Sequence, residues 1–349
     1  MKHNEGLTIR TDLAIEAKDL FSDYDHSTKD KTISMSGLKV HHVWVDEAAA
    51  ETLNKRKGHY ITIETNAIKK NDPDQKQNTS HVLKEVLQQL LGEKGISQDS
   101  QCLVVGLGNN YVTPDALGPS VISKLLITNH LFEYHPEYIE DHQRPVAAIS
   151  PGVMGVTGIE TSDVIKGVVN EMKPDFLLAI DALASRSVER VYSTIQLSDA
   201  GINPGSGIGN KRKELSEDVY GIPVISIGVP TVVDAVTITS DTIDFVFKHF
   251  GREFSEKDQP KSRLAPAQIS IGEKNLTESD LPEEHTRKEL FGMIGGLEED
   301  EKRQLIQEVL TPLGHNLMVT PKEVDAYIHE LSKVISDGIN QALHEQSSD

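Results

Sequence analysis

Cysteine is nearly missing from this sequence: Cys102 is the single one among 349 residues, which excludes an internal disulfide. The chain must fold on its core alone, and the compartment it suits is a reducing one. Cys102 stands inside the apolar run Gln101-Cys102-Leu103-Val104-Val105, where it reads as a small buried hydrophobe and not as a nucleophile. No apolar stretch reaches the roughly 18 residues of a membrane span, and the opening Met1-Lys2-His3-Asn4-Glu5-Gly6 has no apolar signal core. A cytoplasmic location without membrane attachment is the expectation. Basic residues are few beside acidic ones, 35 against 54, for a formal net charge of -19. A field of that sign repels nucleic acid, so no direct nucleic-acid partner is expected.

Several catalytic signatures are missing as well. There is no His-Glu-x-x-His, no paired Cys-x-x-Cys and no Gly-x-Ser-x-Gly, which removes the usual support for zincin, zinc-ribbon and α/β-hydrolase chemistry. The 14 histidines are scattered, and His41-His42 and His130/His135 read as surface or packing residues. No metal and no cofactor are expected.

What is present is a 37% hydrophobic chain, enough for one large core. Residues 1 to about 35 are polar and mixed and read as an extension, with one ordered island at Thr11 to Ala17. Leu38 to Val45 and His59 to Thr65 read as strands, Lys69 to Asn78 as a loop, and His81 to Leu91 as a helix. Short, nearly continuous apolar runs follow at Leu103 to Val105, Val146 to Ile149, Phe176 to Ile180 and Val224 to Ile227, as in strands buried on both faces. Helical segments lie between them, near Ser120 to Leu131, Thr161 to Met172 and Glu214 to Val219. The alternation predicts an α/β fold, a mainly parallel sheet flanked by helices with additional peripheral strands and helices. Gly201 to Asn210 is punctuated too often to be an element and reads as a loop. Residues 251–297 read as a peripheral insertion and 298–349 as a C-terminal helical segment, with helices at 298–310 and 321–344 around Leu317-Met318-Val319.

In such sheets ligands bind at the carboxyl ends of strands. Two segments there carry acids. The first runs Val104-Val105-Gly106-Leu107-Gly108-Asn109 to Thr113-Pro114-Asp115-Ala116-Leu117-Gly118. It lacks the third glycine of a dinucleotide fingerprint and the Lys-Ser/Thr of a P-loop, so Asp115 is its chemical feature, alongside its reading as a turn residue or helix cap. The second is Phe176-Leu177-Leu178-Ala179-Ile180-Asp181, an acid at the mouth of an apolar strand, with Arg186 as a local partner. Two acids at neighbouring strand ends can share a proton, one acting as base on a water and the other as acid. Asp234, after Gly228-Val229-Pro230-Thr231, reads first as a helix cap, and the loop at Gly152 suits close approach by an extended ligand.

These two segments, with Gly152-Val153-Met154-Gly155, Asn203-Pro204-Gly205 and Gly228-Val229-Pro230-Thr231, resemble the germination protease (spore protease) family of endospore-forming bacteria over nearly the whole chain. The resemblance implies an atypical aspartic endopeptidase in which Asp115 and Asp181 are the catalytic pair. Gly108, Asn109, Gly152, Arg186 and Asp234 would bind substrate or support the pair. It further implies small acid-soluble spore proteins as substrates, a homotetramer, and a place in the spore core. The family's sheet is similar to that of hydrogenase-maturation endopeptidases, where acids and a histidine engage nickel; no matching histidine is identified here, which favours a mechanism without metal. Thr11-Asp12-Leu13-Ala14-Ile15-Glu16 resembles the family's substrate pattern, so residues 1–12 read as a propeptide cut between Asp12 and Leu13, leaving 13–349 as a single peptidase domain. Two other readings stay open: a metal-dependent maturation-type endopeptidase, and a non-catalytic nucleotide- or peptide-binding module.

Overall fold

A computed structural model describes residues 11–20, 29–140, 142–203, 213–255, 276–310 and 317–344. These described residues fall into two compact units, one made of those within 11–233 and 319–344 and the other of those within 234–318. The described residues of the expected excursion 251–297 belong to the second unit.

The first unit is built on one mixed sheet. Its strands are β1 (Lys29–Met35), β2 (Leu38–Val45), β3 (Gly58–Glu64), β4 (Cys102–Gly106), β5 (Val146–Ile149), β6 (Phe176–Ser185), β7 (Thr194–Ser198) and β8 (Val224–Asp234), in the order β1-β2-β3-β7-β8-β6-β4-β5. The half β8-β6-β4-β5 is parallel, and it consists of the four apolar runs that the sequence marks. The other half, β1-β2-β3-β7, is an antiparallel wing joined through β7 to β8. Helix α1 (Ala14–Leu20) precedes the sheet, and α2 (Glu47–Leu53) follows β2, its first turn capped by the Asp46 carboxylate accepting from Ala49 N–H at 2.9 Å. Helices α3 (Pro73–Glu93), α4 (Leu117–Ile122), α5 (Asn129–Tyr134), α6 (Met154–Thr157), α7 (Thr161–Met172) and α8 (Glu217–Tyr220) connect the later strands. On one face of the parallel half Ile165 and Val169 of α7 pack with Leu103, Val105, Leu177 and Ala179, all buried.

Three readings of the sequence are corrected. The polar stretch 69–78 is not a loop: α3 begins at Pro73, with Asp72 accepting from Asp74 N–H and Gln75 N–H at 3.1 Å each, because a capping acid and a proline at the first helical position start a helix whatever its surface polarity. The helix expected near 120–131 is two short ones, α4 and α5, separated by residues 123–128. And the island at 11–17 is core, not extension. Leu13 and Ala14 are fully buried, and Ala17 packs with Val43, Val45, Ala49 and Leu53. Most of the loop 201–210 lies outside the described residues.

The second unit contains α9 (Ala235–Ser255), α10 (Glu284–Phe291) and α11 (Glu299–Leu310). Phe247 and Phe291 join α9 to α10 with ring centroids 4.5 Å apart, and Lys302 pairs with Asp244 at 2.6 Å. The C-terminal helix α12 (Val324–His344) belongs to the first unit, where it packs along α3 and Ser80 Oγ donates to Val334 O at 2.9 Å. No helix among the described residues is long and apolar enough to cross a membrane.

The antiparallel wing carries a buried histidine pair. One hydrogen bond of 3.0 Å joins His42 Nδ1 and His59 Nε2, and His59 Nδ1 meets Glu93 Oε2 at 2.9 Å. Burial, then the neighbouring His59 and Lys31, lower the pKa of His42 from 6.5 to about 4, against the pull of Glu93. A histidine with a lowered folded-state pKa binds fewer protons folded than unfolded, so its contribution to stability is lost as pH falls from about 6.5 toward 4. Melting curves from pH 7.5 to 4.5 should therefore fall more steeply for the wild type than for His42→Phe, which keeps a stacking ring and cannot titrate. Parallel curves would remove His42 as a source of acid sensitivity.

Candidate active site

The pairing of β4 with β6 ends at Gly106 opposite Ile180, and the next amide, Leu107 N–H, still donates to Ile180 O at 2.8 Å. From there the chain turns away and comes back. Asn109 builds the turn: its N–H donates to Asp115 O at 3.0 Å, its side-chain oxygen accepts from Tyr111 N–H at 3.0 Å, and its carbonyl accepts from Val112 N–H at 3.0 Å. Asp115 N–H donates to Val112 O at 2.8 Å, closing a short 3-10 turn, Thr113–Asp115, that lies against β6. Gly108 has φ +117, and a Cβ placed on it would stand 1.9 Å from the Asp115 carbonyl oxygen. Glycine is required there for both reasons. Asp115 itself is half-buried.

Asp181 is 5% exposed, and its Oδ1 accepts from Ala182 N–H at 2.9 Å. It is not at the end of its strand, as the sequence suggests. β6 runs on to Ser185 because β8 continues beside it, pairing Asp181 with Gly228. The strand that ends at this level is β4. Asp115 and Asp181 are thus brought to the same mouth, one on the loop leaving β4, the other on β6 just beyond the last β4 pair.

The remaining candidates divide. Gly152, at φ +72 in the loop after β5, has its carbonyl fixed by Thr161 Oγ1 at 3.0 Å. Arg186 follows β6, and its backbone N–H donates to Glu16 Oε2 at 2.8 Å. Asp234 closes β8 well beyond Gly228, and its carboxylate accepts from Thr237 N–H and Thr237 Oγ1 at 3.3 Å each, which is the helix cap. Asp12 and Leu13 lie along β6: Asp12 N–H donates to Ala184 O and Asp12 Oδ2 accepts from Ala184 N–H, both at 2.9 Å, while Leu13 is fully buried.

The sequence reading misses the residues that hold this segment. Lys55 Nζ donates to Thr11 O at 2.8 Å, and Gln196 accepts from Ala14 N–H at 2.7 Å. Burial lowers the Lys55 pKa against the opposing pull of Asp12 and Glu16. Nothing local in Lys55-Arg56-Lys57 marks its first member as half-buried against Asp12 and Glu16, since the partners lie far away in sequence. Among the described residues no group of three His, Cys, Asp or Glu side chains is placed to hold a metal ion.

Residues 12–349 match the family model described as germination protease. The chain belongs to the germination protease family. It is 56% identical over 348 residues to the germination protease of Bacillus licheniformis, covering 97% of this chain and 94% of that one. The germination proteases of Oceanobacillus iheyensis and Halalkalibacterium halodurans are each 55% identical, covering 97% and 98% of this chain and 95% of each relative. The chain is therefore a peptidase of this family, as its resemblance implies. Among solved structures, a [NiFe] hydrogenase maturation protease from Thermococcus kodakarensis aligns over 42% of this chain and 80% of its own, at 16% identity and a TM-score of 0.27, too distant a likeness to carry an argument.

Proposed function

We propose that the chain is an aspartic-type endopeptidase that degrades small acid-soluble spore proteins during spore germination, with Asp115 and Asp181 as its catalytic pair. The observation that supports this reading is the shared mouth: the family's two motif acids stand where β4 ends beside β6. A water between the carboxylates attacks the scissile carbonyl carbon and passes its proton to one of them. The other, carrying the shared proton, polarises the carbonyl oxygen and then protonates the amide nitrogen, so that the C–N bond breaks to an acid and an amine. Gly108 and Asn109 shape the turn that presents Asp115, and the Gly152 loop and Arg186 flank the substrate path. The active form is a homotetramer in the spore core, and the reaction needs no cofactor.

The protein is made as a zymogen that cuts its own Asp12–Leu13 bond. That bond pairs with Ala184, three residues past Asp181, a span of about 10 Å along a strand. It is cut on a segment lifted from β6, and processing between molecules satisfies this without refolding the donor's own site. Incubating the purified protein with a small acid-soluble spore protein, and following fragments by mass and the enzyme's own terminus by sequencing, tests both parts. Discrete substrate fragments and a new terminus at Leu13 are expected for wild type, and neither for Asp115→Asn. An unchanged Met1 terminus in fully active enzyme would sink the zymogen. Exhaustive chelation should leave the rate unchanged; loss restored by Ni²⁺ or Zn²⁺ would favour the metal-dependent reading instead.

A further inference from the structure

Past Asp181 one edge of β6 has lost its neighbour. The Ile180 carbonyl faces β4 and accepts its last bond there; Ala184, four residues on, points its polar groups the same way. Asp12 occupies that edge through both Ala184 bonds. Next to it Glu16, 6% exposed, takes two consecutive amides: Oε2 accepts from Arg186 N–H at 2.8 Å and Oε1 from Ser187 N–H at 3.0 Å. Thr11 Oγ1 donates to the same carboxylate, and Arg190 Nε stands 3.7 Å from it.

The apolar side chains between these acids reach the site by another route. Leu13 and Ile15 pack on Leu183. Leu183 lies two residues from Asp181 on the same face of β6, and its side chain covers Gly228, where an added Cβ would meet Leu183 Cδ1 at 2.4 Å. Gly228 is the strand partner of Asp181. A buried charge fixed by two amides and a packed leucine wall therefore act on the same strand segment, immediately downstream of one proposed catalytic group.

We propose that Glu16 is a positioning residue of the active site, holding the backbone at Arg186 and Ser187 while Leu13 and Ile15 press Leu183 over Gly228, so that Asp181 is fixed in direction. The proposal rests on Asp181 being catalytic. It assigns the retained side of the Asp12–Leu13 bond a lasting role, because Leu13, Ile15 and Glu16 all remain after a cut there.

The test uses the full chain carrying Glu16→Gln, which keeps the shape but places an amide NH₂ against one backbone N–H. Amide exchange at Arg186 and Ser187 should speed at least tenfold, with Leu177 to Ile180 unchanged. On a small acid-soluble spore protein, kcat should fall about 10- to 100-fold, well beyond any rise in KM from the loosened Arg186, since the aim of one carboxylate is lost. If Glu16→Gln does not fold, Ile15→Ala loosens the leucine wall without touching a charge, and it should lower kcat several-fold at unchanged KM. A folded variant of either kind with wild-type kcat, or one that loses activity through KM alone, overturns the proposal. Asp181→Asn is assayed beside them: activity surviving in that variant would overturn the aspartic reading, while the exchange arm would still report whether Glu16 holds the segment.

Discussion

Asp115→Asn and Asp181→Asn should each lower hydrolysis by more than about 1,000-fold while the protein stays folded. The fold is expected to survive because asparagine keeps the size and shape of each side chain and the bonds that follow do not need a carboxylate. The turn at Asp115 is closed by backbone bonds, from Asp115 N–H to Val112 O and from Asn109 N–H to Asp115 O. At Asp181 the side chain accepts from Ala182 N–H at 2.9 Å, a bond that an asparagine oxygen can make equally well. What asparagine cannot do is exchange a proton with water or with its neighbour. Steady-state rates on a small acid-soluble spore protein, with circular dichroism as the folding control, decide the matter. A folded variant keeping a tenth of wild-type activity would remove that residue from the chemistry.

The second large effect is expected from a residue with no side chain. Gly108→Ala would put a methyl carbon 1.9 Å from the Asp115 carbonyl oxygen, at a φ of +117 that an alanine rarely adopts. One of the two backbones must move, and the mobile one is the 3-10 turn, which is held by single hydrogen bonds, whereas β4 is paired on both sides. Asp115 is then displaced by an ångström or more from its place beside β6, enough to cost about 100-fold in kcat. Thermal stability should fall as well. The contrast is Gly155→Ala, in α6, where nothing lies within 4 Å of the added carbon and activity should stay near wild type. Equal effects from both substitutions would show that the close approach of Gly108 to Asp115 is not what fixes the site.

The parallel half of the sheet was legible because β4, β6 and β8 are buried on both faces, and all four of its strands read as unbroken apolar runs. The wing was legible only in part. β1 is an exposed edge strand, Lys29-Asp30-Lys31-Thr32-Ile33-Ser34-Met35, whose charges suit solvent and conceal its pairing. β7, Thr194-Ile195-Gln196-Leu197-Ser198, is wholly buried, yet three of its five residues are polar. Its polar side chains have specific partners, such as Ala14 N–H on Gln196, which composition cannot show. The start of α3 was present in the letters as Asp72-Pro73, and a polar surface hid it. At the site, the two acids and Gly108 could be found from the motifs. That Asp181 lies inside β6 could not, because the strand is prolonged by pairing with β8 and not by its own residues. Nor could the burial of Leu13 to Glu16, which depends on Leu183, Gln196 and the amides of Arg186 and Ser187.

Lys55 gives the buried N-terminal segment a further property. As the chain stands, one half-buried ammonium faces two carboxylates, those of Asp12 and Glu16. Cleavage after Asp12 would take away one of the acids and the Thr11 carbonyl that Lys55 holds, and would turn the Leu13 amide into a second ammonium beside the remaining acid. The enclosure would change sign. A like charge opposes protonation of both, and because an α-amine ordinarily holds its proton less tightly than a lysine, the new Leu13 terminus is the group that would give it up first. A single backbone cut at that bond would thus set a neutral α-amine beside the Lys55 cation, and amine-selective acylation near neutral pH could read that amine out as a chemical mark of the processed chain.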